Sequence, residues 1–174
     1  MKTKNSPIKK PQKKQSVECI LILHDIRSTH NVGSLFRTAD SIGVSKIILS
    51  GTSPAPIDRF GRKRADITKS SLGAEDTVTW SESKNILTTL KKLKSDGYTL
   101  IAIEQSPNSI DYKSLKLPAS AKLVIIPGYE VSGVPANILK IVDHILEIPM
   151  YGLKESLNVS VATGIVFYRL LDTK

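Results

Sequence analysis

From residue 18 onward, short apolar runs alternate with stretches of helical periodicity. ECILIL (18–23), KIILS (46–50), YTLIAIE (98–104), KLVIIP (122–127) and HILEIP (144–149) are nearly unbroken apolar runs. That is the pattern of strands buried on both faces. TVTW (77–80) is a sixth predicted strand. HNVGSLFRTADSIG (30–43) places Val32, Leu35, Phe36, Ala39 and Ile42 at helical spacing and stops at Gly43. SESKNILTTLKKLKSDG (81–97) predicts an amphipathic helix capped by Ser81 or Ser83 and ended by Gly97. PANILKIVD (135–143) predicts a helix with Pro135 at its first position. Residues 52–75 are turn-rich, with room for one or two short helices.

The final predicted helix, 155–171, opens with Ser156, Leu157, Asn158, Val159, Ser160 and Val161. Ser, Asn and Val each cost roughly a few tenths of a kcal/mol against Ala in a helix. A segment of purely structural purpose has no reason to collect them. Strands separated by helices, without internal repeats, predict an α/β domain: a mainly parallel six-stranded sheet with helices on both faces. Ligands of such sheets bind beyond the carboxyl ends of the strands. The loops of interest therefore follow Leu23, Ile103, Ile126 and Ile148.

Composition narrows the class. Of 174 residues 40% are apolar and 24% charged, a globular balance with no apolar run near the roughly 20 residues of a membrane span. No secretion signal is expected at the N-terminus. Cys19 is the single cysteine, and no Cys/His spacing suggests a metal site, so a reducing, cytoplasmic setting fits. Net charge is +9, and residues 1–14 hold six lysines and no acid. Residues 1–16 therefore read as a basic, disordered tail and 17–174 as one domain. With Arg59, Arg62, Lys63 and Arg64, the tail suits a polyanion partner, although a purely solubilising tail would look the same.

Three loops carry candidate chemistry. In HDIRSTHNVGSLFRTAD, Asn31 and Gly33 open a helix past a strand, and Arg37 lies off its apolar stripe. Helix starts bind anions, and a guanidinium fork suits phosphate. A helix cap, a packing glycine and a solvated arginine would give the same letters. In VIIPGYEVSGVP, Gly128 and Gly133 bracket Glu130 after a strand, where glycine lets backbone approach a ligand. In IPMYGLKESLNVS, a strand end, Pro149 and Gly152 lead to Ser156 and Asn158. None of the three is a Rossmann or P-loop phosphate motif. His24 and His30 read as local hydrogen-bonding residues.

Taken in order, these loops resemble the motifs of the SpoU (TrmH-like) RNA ribose methyltransferases of the SPOUT superfamily. Asn31, Gly33, Arg37 and Ala39 match N-x-G-x-x-x-R-x-A; Gly128, Glu130 and Gly133 match G-x-E-x-x-G; Ile148 to Ser160 match I-P-M-x-G-x-x-E-S-L-N-V-S throughout. KSSLGAE (69–75) resembles a further family segment. Pro127 and Tyr129 depart from the commoner residues beside the motif-two glycine, and the extra RNA-binding domain of many relatives is not expected here.

The resemblance implies a C-terminal trefoil knot whose loops hold S-adenosylmethionine. Ile103, Gly128, Ile148, Met150, Ser156 and Leu157 would bind the cofactor, largely through main-chain groups. Arg37, Asn31, Glu130, Ser156 and Asn158 would serve catalysis on a ribose 2′-hydroxyl of tRNA or rRNA. The family assigns Arg37 to the hydroxyl proton; a guanidinium keeps its proton, so we read Arg37 as binding and polarising phosphate and hydroxyl. No metal is required. The last helix would pack in a homodimer through its small Ala162 and Gly164, with the two protomers sharing each active site. Methylation of an RNA base by a related knotted enzyme, and a non-catalytic RNA-binding module, are the alternatives.

Overall fold

The computed structural model describes residues 18–118, 120–129 and 132–171. The basic tail and Glu130 lie outside these residues. Seven strands form one sheet in the order β3-β2-β1-β6-β4-β7-β5, and every pairing is parallel. The strands are β1 (Cys19–His24), β2 (Lys46–Ser50), β3 (Trp80–Ser83), β4 (Tyr98–Ile103), β5 (Ile110–Asp111), β6 (Lys122–Pro127) and β7 (His144–Glu147). Alternate residues of the central strands point to opposite faces. Leu21, Leu23, Ile47, Ile101 and Ile125 pack with α1 (Thr29–Ile42) and α6 (Val159–Leu171). Ile20, Ile22, Leu100, Val124 and Ile126 pack with α4 (Ile86–Ser95) and α5 (Ala136–Leu139). Two short helices, α2 (Ala65–Ser71) and α3 (Ala74–Thr77), lie between β2 and β3. Both faces are covered, as the apolar runs require.

The sheet departs from the expected one at its edges. TVTW is not a strand: Thr77 ends α3, and the strand begins at Trp80, with Ser81 and Ser83 pairing with Ile48 and Ser50. A main-chain ladder does not read side-chain polarity, so this edge strand has no apolar signature. Helix α4 consequently begins at Ile86, capped by Asn85, whose side chain accepts from Thr88 N–H at 3.1 Å. The seventh strand, β5, has two residues, paired with Leu146 and Glu147 of β7. Helix α5 ends at Leu139, with Pro135 at its N-cap. Asp143 stops further helix: its N–H donates to Leu100 O at 2.8 Å, and its carboxylate accepts from Leu100 N–H at 2.8 Å.

Asp143 also pairs with Lys94 at 2.7 Å. Burial works against its charge, but Lys94 and the Leu100 N–H outweigh burial and hold the carboxyl below its ordinary range. A lowered folded pKa gives stability that is present above the unfolded value of 3.8 and lost as pH falls through the folded value. Asp143→Ala is therefore expected to cost about 1.5–3 kcal/mol at neutral pH, the range for a hydrogen bond to a charged acceptor. The gap between variant and parent should shrink towards about pH 2. Urea melts at the two pH values check this, and an equal gap at both would contradict it.

Cys19 is buried in β1, and desolvation pushes its thiol up to about 12, which leaves it an inert core side chain. No helix among the described residues is long and apolar enough to cross a membrane.

Candidate functional site

A cleft of about 400 Å³ opens beyond the carboxyl ends of β4, β6 and β7. Its walls come from four segments: Ile103–Gln105 after β4, Pro127–Tyr129 with Gly133 after β6, Leu146–Ile148 with Met150 after β7, and Ser156–Val159 with Ala162 at the entry to α6. The structure brings together there Ile103, Gly128, Ile148, Met150, Ser156, Leu157 and Asn158.

The approach to α6 is irregular up to Asn158, so the helix begins four residues later than the predicted Glu155. Asn158 sets that start: its side-chain oxygen accepts from Ser160 N–H at 2.9 Å and from the Ser160 hydroxyl at 2.6 Å. Ser156 and Leu157 are thus cleft wall rather than helix. The poor helix propensity of Ser156 costs nothing there. The Asn158 side chain also donates to Asn31 Oδ1 at 3.1 Å, which joins the third motif to the first. Asn31 is buried in the first turn of α1, and the cap of that helix is Ser28.

Arg37 is not on the cleft wall. Six residues beyond Asn31, it lies about 9 Å along α1 and about 120° around it, with its side chain exposed. Gly33 serves packing: a Cβ there would meet Ile67 O of α2 at 2.6 Å. On α6, Gly164 faces Thr38 of α1, where a Cβ would stand 3.7 Å from Thr38 Cγ2, and Ala162 borders the cleft. The two small residues expected at a dimer contact therefore face this chain's own cleft and α1.

Two further cleft residues, Glu104 and Gln105, lie outside the three sequence motifs. Glu104 accepts from Val134 N–H at 2.7 Å and from Gln105 N–H at 2.9 Å, fixing the loop after β6 to the end of β4. Gly128 and Gly133 make room for it: a Cβ on either would stand 2.4 or 2.1 Å from Glu104 Oε2. Gln105 donates to Glu155 O at 2.7 Å, tying the third loop to the same strand end. The one sequence signal was an acid closing the apolar run YTLIAIE.

At the β1 and β2 ends, Asp25 accepts from Thr52 N–H at 2.8 Å and the Thr52 hydroxyl at 3.0 Å. Burial raises its pKa, yet these bonds with His24 and Arg27 hold it below the ordinary range. His24 is half-buried and bonds Ser50 Oγ at 2.9 Å, a local structural role. The Arg27 guanidinium stands 5.9 Å from the centre of the Tyr129 ring, linking loops one and two. Among the described residues no group of His, Cys, Asp and Glu could hold a metal ion.

Residues 18–168 match the SpoU rRNA Methylase family model, almost the whole described chain. The chain belongs to the SpoU rRNA methylase family. It is 32% identical over 152 residues to a tRNA (guanosine(18)-2'-O)-methyltransferase of Borreliella burgdorferi, covering 86% of this chain and 64% of that protein. It is 37% identical over 147 residues to the 23S rRNA (guanosine-2'-O-)-methyltransferase RlmB of Neisseria meningitidis serogroup B, covering 84% and 55%. The chain thus spans 55–64% of the length of these curated relatives. In solved structures it resembles an AdoMet-bound rRNA methyltransferase from Sinorhizobium meliloti, with TM-score 0.77, 26% identity and coverage of 87% and 55%. It also resembles the A. aeolicus TrmH/SpoU tRNA modifying enzyme, with TM-score 0.76, 27% identity and coverage of 90% and 75%. The SpoU fold accounts for the parallel sheet and the site at its carboxyl edge.

Proposed function

We propose that this SpoU chain is an S-adenosylmethionine-dependent RNA methyltransferase acting on a ribose 2′-hydroxyl of tRNA or rRNA, in the cytoplasm, with residues 17–174 as the methyltransferase domain. The observation that carries the reading is the cleft itself. It gathers the motif-two and motif-three loops, and the Asn158–Asn31 bond couples it to motif one. The named activities of the matched tRNA and 23S rRNA relatives support the same chemistry.

The residues present fit the cofactor. A volume of about 400 Å³ is within the range of small-molecule sites, about 300–1,000 Å³. Ile103, Pro127, Leu146, Ile148 and Leu157 offer apolar wall for an adenine ring. The lining includes Glu104 and Glu147 and, among the described residues, no Lys or Arg, although the chain carries +9 overall. An acidic, partly apolar cleft favours a sulfonium cation and disfavours RNA phosphate. Bound there, S-adenosylmethionine would supply an electrophilic methyl group.

The chain's own residues would do the rest. Arg37 would hold an RNA phosphate and polarise the hydroxyl while keeping its own proton, which leaves phosphate or water to take the hydroxyl proton. Asn31, Glu130, Ser156 and Asn158 would orient the ribose and the loops. Positioning of this kind is worth up to about 7–11 kcal/mol of effective concentration. The chain after Gly128 would thread as a trefoil knot; β4 lying between the later strands β6 and β7 supports that threading.

A homodimer with shared sites belongs to the same proposal. Val161, Ile165 and Tyr168 recur at i, i+4 and i+7 on α6, Val161 and Tyr168 exposed. Tyr151 and Leu153 add exposed apolar area beside the cleft loop.

Calorimetry with S-adenosylmethionine should give a one-to-one binding heat per chain. Labelled methyl transfer to tRNA and rRNA, followed by digestion and mass spectrometry, should give 2′-O-methylnucleosides. A methylated base instead would move the assignment to base methylation, and RNA binding with no cofactor heat would reduce the chain to a binding module.

A further inference from the structure

Residues 57–63 form a β-hairpin tip in the loop that follows β2. Asp58 N–H donates to Arg62 O at 2.8 Å, Gly61 N–H donates to Asp58 O at 2.9 Å, and Gly61 has φ +79°. This is a type I turn closed by a glycine bulge, which holds the tip residues Arg59 and Phe60 away from the domain. The Asp58 carboxylate stiffens it by accepting from Phe60 N–H at 2.8 Å and Arg62 N–H at 2.9 Å.

Phe60 is 65% exposed on this rigid tip. The Arg59 and Arg62 guanidiniums stand 4.7 and 5.0 Å from its ring centre. Arg62 is fixed there by Asp58, with Nε to Oδ2 at 3.0 Å. Arg59 has no carboxylate partner among the described residues, so it is the cation an incoming group can move. Two strand spacings, about 10 Å, separate β2 from β6 and its cleft loop.

We infer that the Asp58–Arg62 hairpin is an RNA contact in which Phe60 stacks on the base of an unpaired nucleotide. Arg59 leaves the ring for a flanking phosphate, while Arg62 backs the stack. The inference rests on the proposed RNA methyltransferase function and adds a requirement for an unpaired nucleotide in the RNA. Every base has a π-face, so the contact tolerates sequence but not pairing.

The test measures binding of the full chain to a fluorescent single-stranded RNA and to a fully paired RNA hairpin, alongside calorimetry with S-adenosylmethionine and methyl transfer to bulk tRNA and rRNA. Phe60→Ala is expected to weaken the single-stranded complex about 5–150-fold, the range for loss of one aromatic stack. Duplex binding, cofactor affinity and melting temperature should not move, because the ring is exposed. Phe60→Trp should retain single-strand affinity. Arg59→Ala should flatten the salt slope on single-stranded RNA by about 0.7. Unchanged single-strand affinity in Phe60→Ala, or equal loss on duplex, overturns the stack. If the parent chain binds RNA in this manner but transfers no methyl group, the hairpin contact stands and the proposed activity falls. A parent chain that binds neither RNA overturns both.

Discussion

Gly128→Val is expected to weaken S-adenosylmethionine binding by about 100-fold, near the upper end of the 1–3 kcal/mol that overpacking costs. A Cβ at Gly128 would stand 2.4 Å from Glu104 Oε2 and 3.3 Å from both Ile103 O and Gly133 Cα. The backbone atoms cannot withdraw, so the Glu104 carboxylate must. That breaks its bond to Val134 N–H, the one that fixes the motif-two loop against β4. Gly128 lines the cleft and its missing side chain also makes room for Glu104, so the valine would act on the ligand through the loop as well. Glu104→Gln, which keeps the shape and one accepting oxygen, should lose less affinity than Glu104→Ala. Calorimetry beside thermal melts separates the cases. A valine variant that binds cofactor like the parent would show that the loop does not need Glu104 in place.

At cofactor concentrations near the parent's Kd, Arg37→Ala and Gly128→Val proteins should each be nearly inactive alone yet recover activity when refolded together. Within one chain Arg37 is exposed, off the cleft, and turned about 120° around α1 from Asn31, which does reach the cleft through Asn158. A partner's arginine would complete each site in a symmetric dimer, because an isologous interface repeats every contact. Random pairing makes half the dimers mixed, and each mixed dimer has one intact site, so roughly a quarter of all sites should regain methyl transfer. If Arg37 serves its own chain's cleft, no site in a mixed dimer is whole. Native mass spectrometry showing heterodimers with no recovered activity would therefore refute the shared site.

The strands legible from sequence are the apolar ones, β1, β2, β4, β6 and β7. There the core demands apolar residues along most of β1, β2, β4 and β6, while β7 is marked by Ile145 and the buried Leu146. The edge strands β3 and β5 are held by main-chain bonds, which leave no trace in WSES or in a pair such as Ile110–Asp111. Helix starts were misplaced for a similar reason. Ser28, Asn85 and Asn158 each cap by accepting one main-chain N–H, and other polar residues nearby compete as candidates.

The cleft was legible through its motifs, whose spacing is local. Glu104 and Gln105 were not, since their partners Val134 and Glu155 lie 30 and 50 residues away. No periodicity encodes such a meeting.

The sheet order has a consequence for synthesis on the ribosome. Strands β1, β2 and β3 can pair once residue 83 has emerged, leaving the free edge of β1 beside Leu21. Strand β4 follows but has no place against them, because β6 lies between it and β1. At about 5–20 residues per second, roughly 2–9 s pass before residue 127 completes β6. For that interval the growing chain presents an unpaired strand edge, a template for wrong partners. The cleft closes later still, once Ala162 joins its wall. Unfinished chains are therefore blind to the cofactor, and ligand stabilisation reaches only those already built through α6.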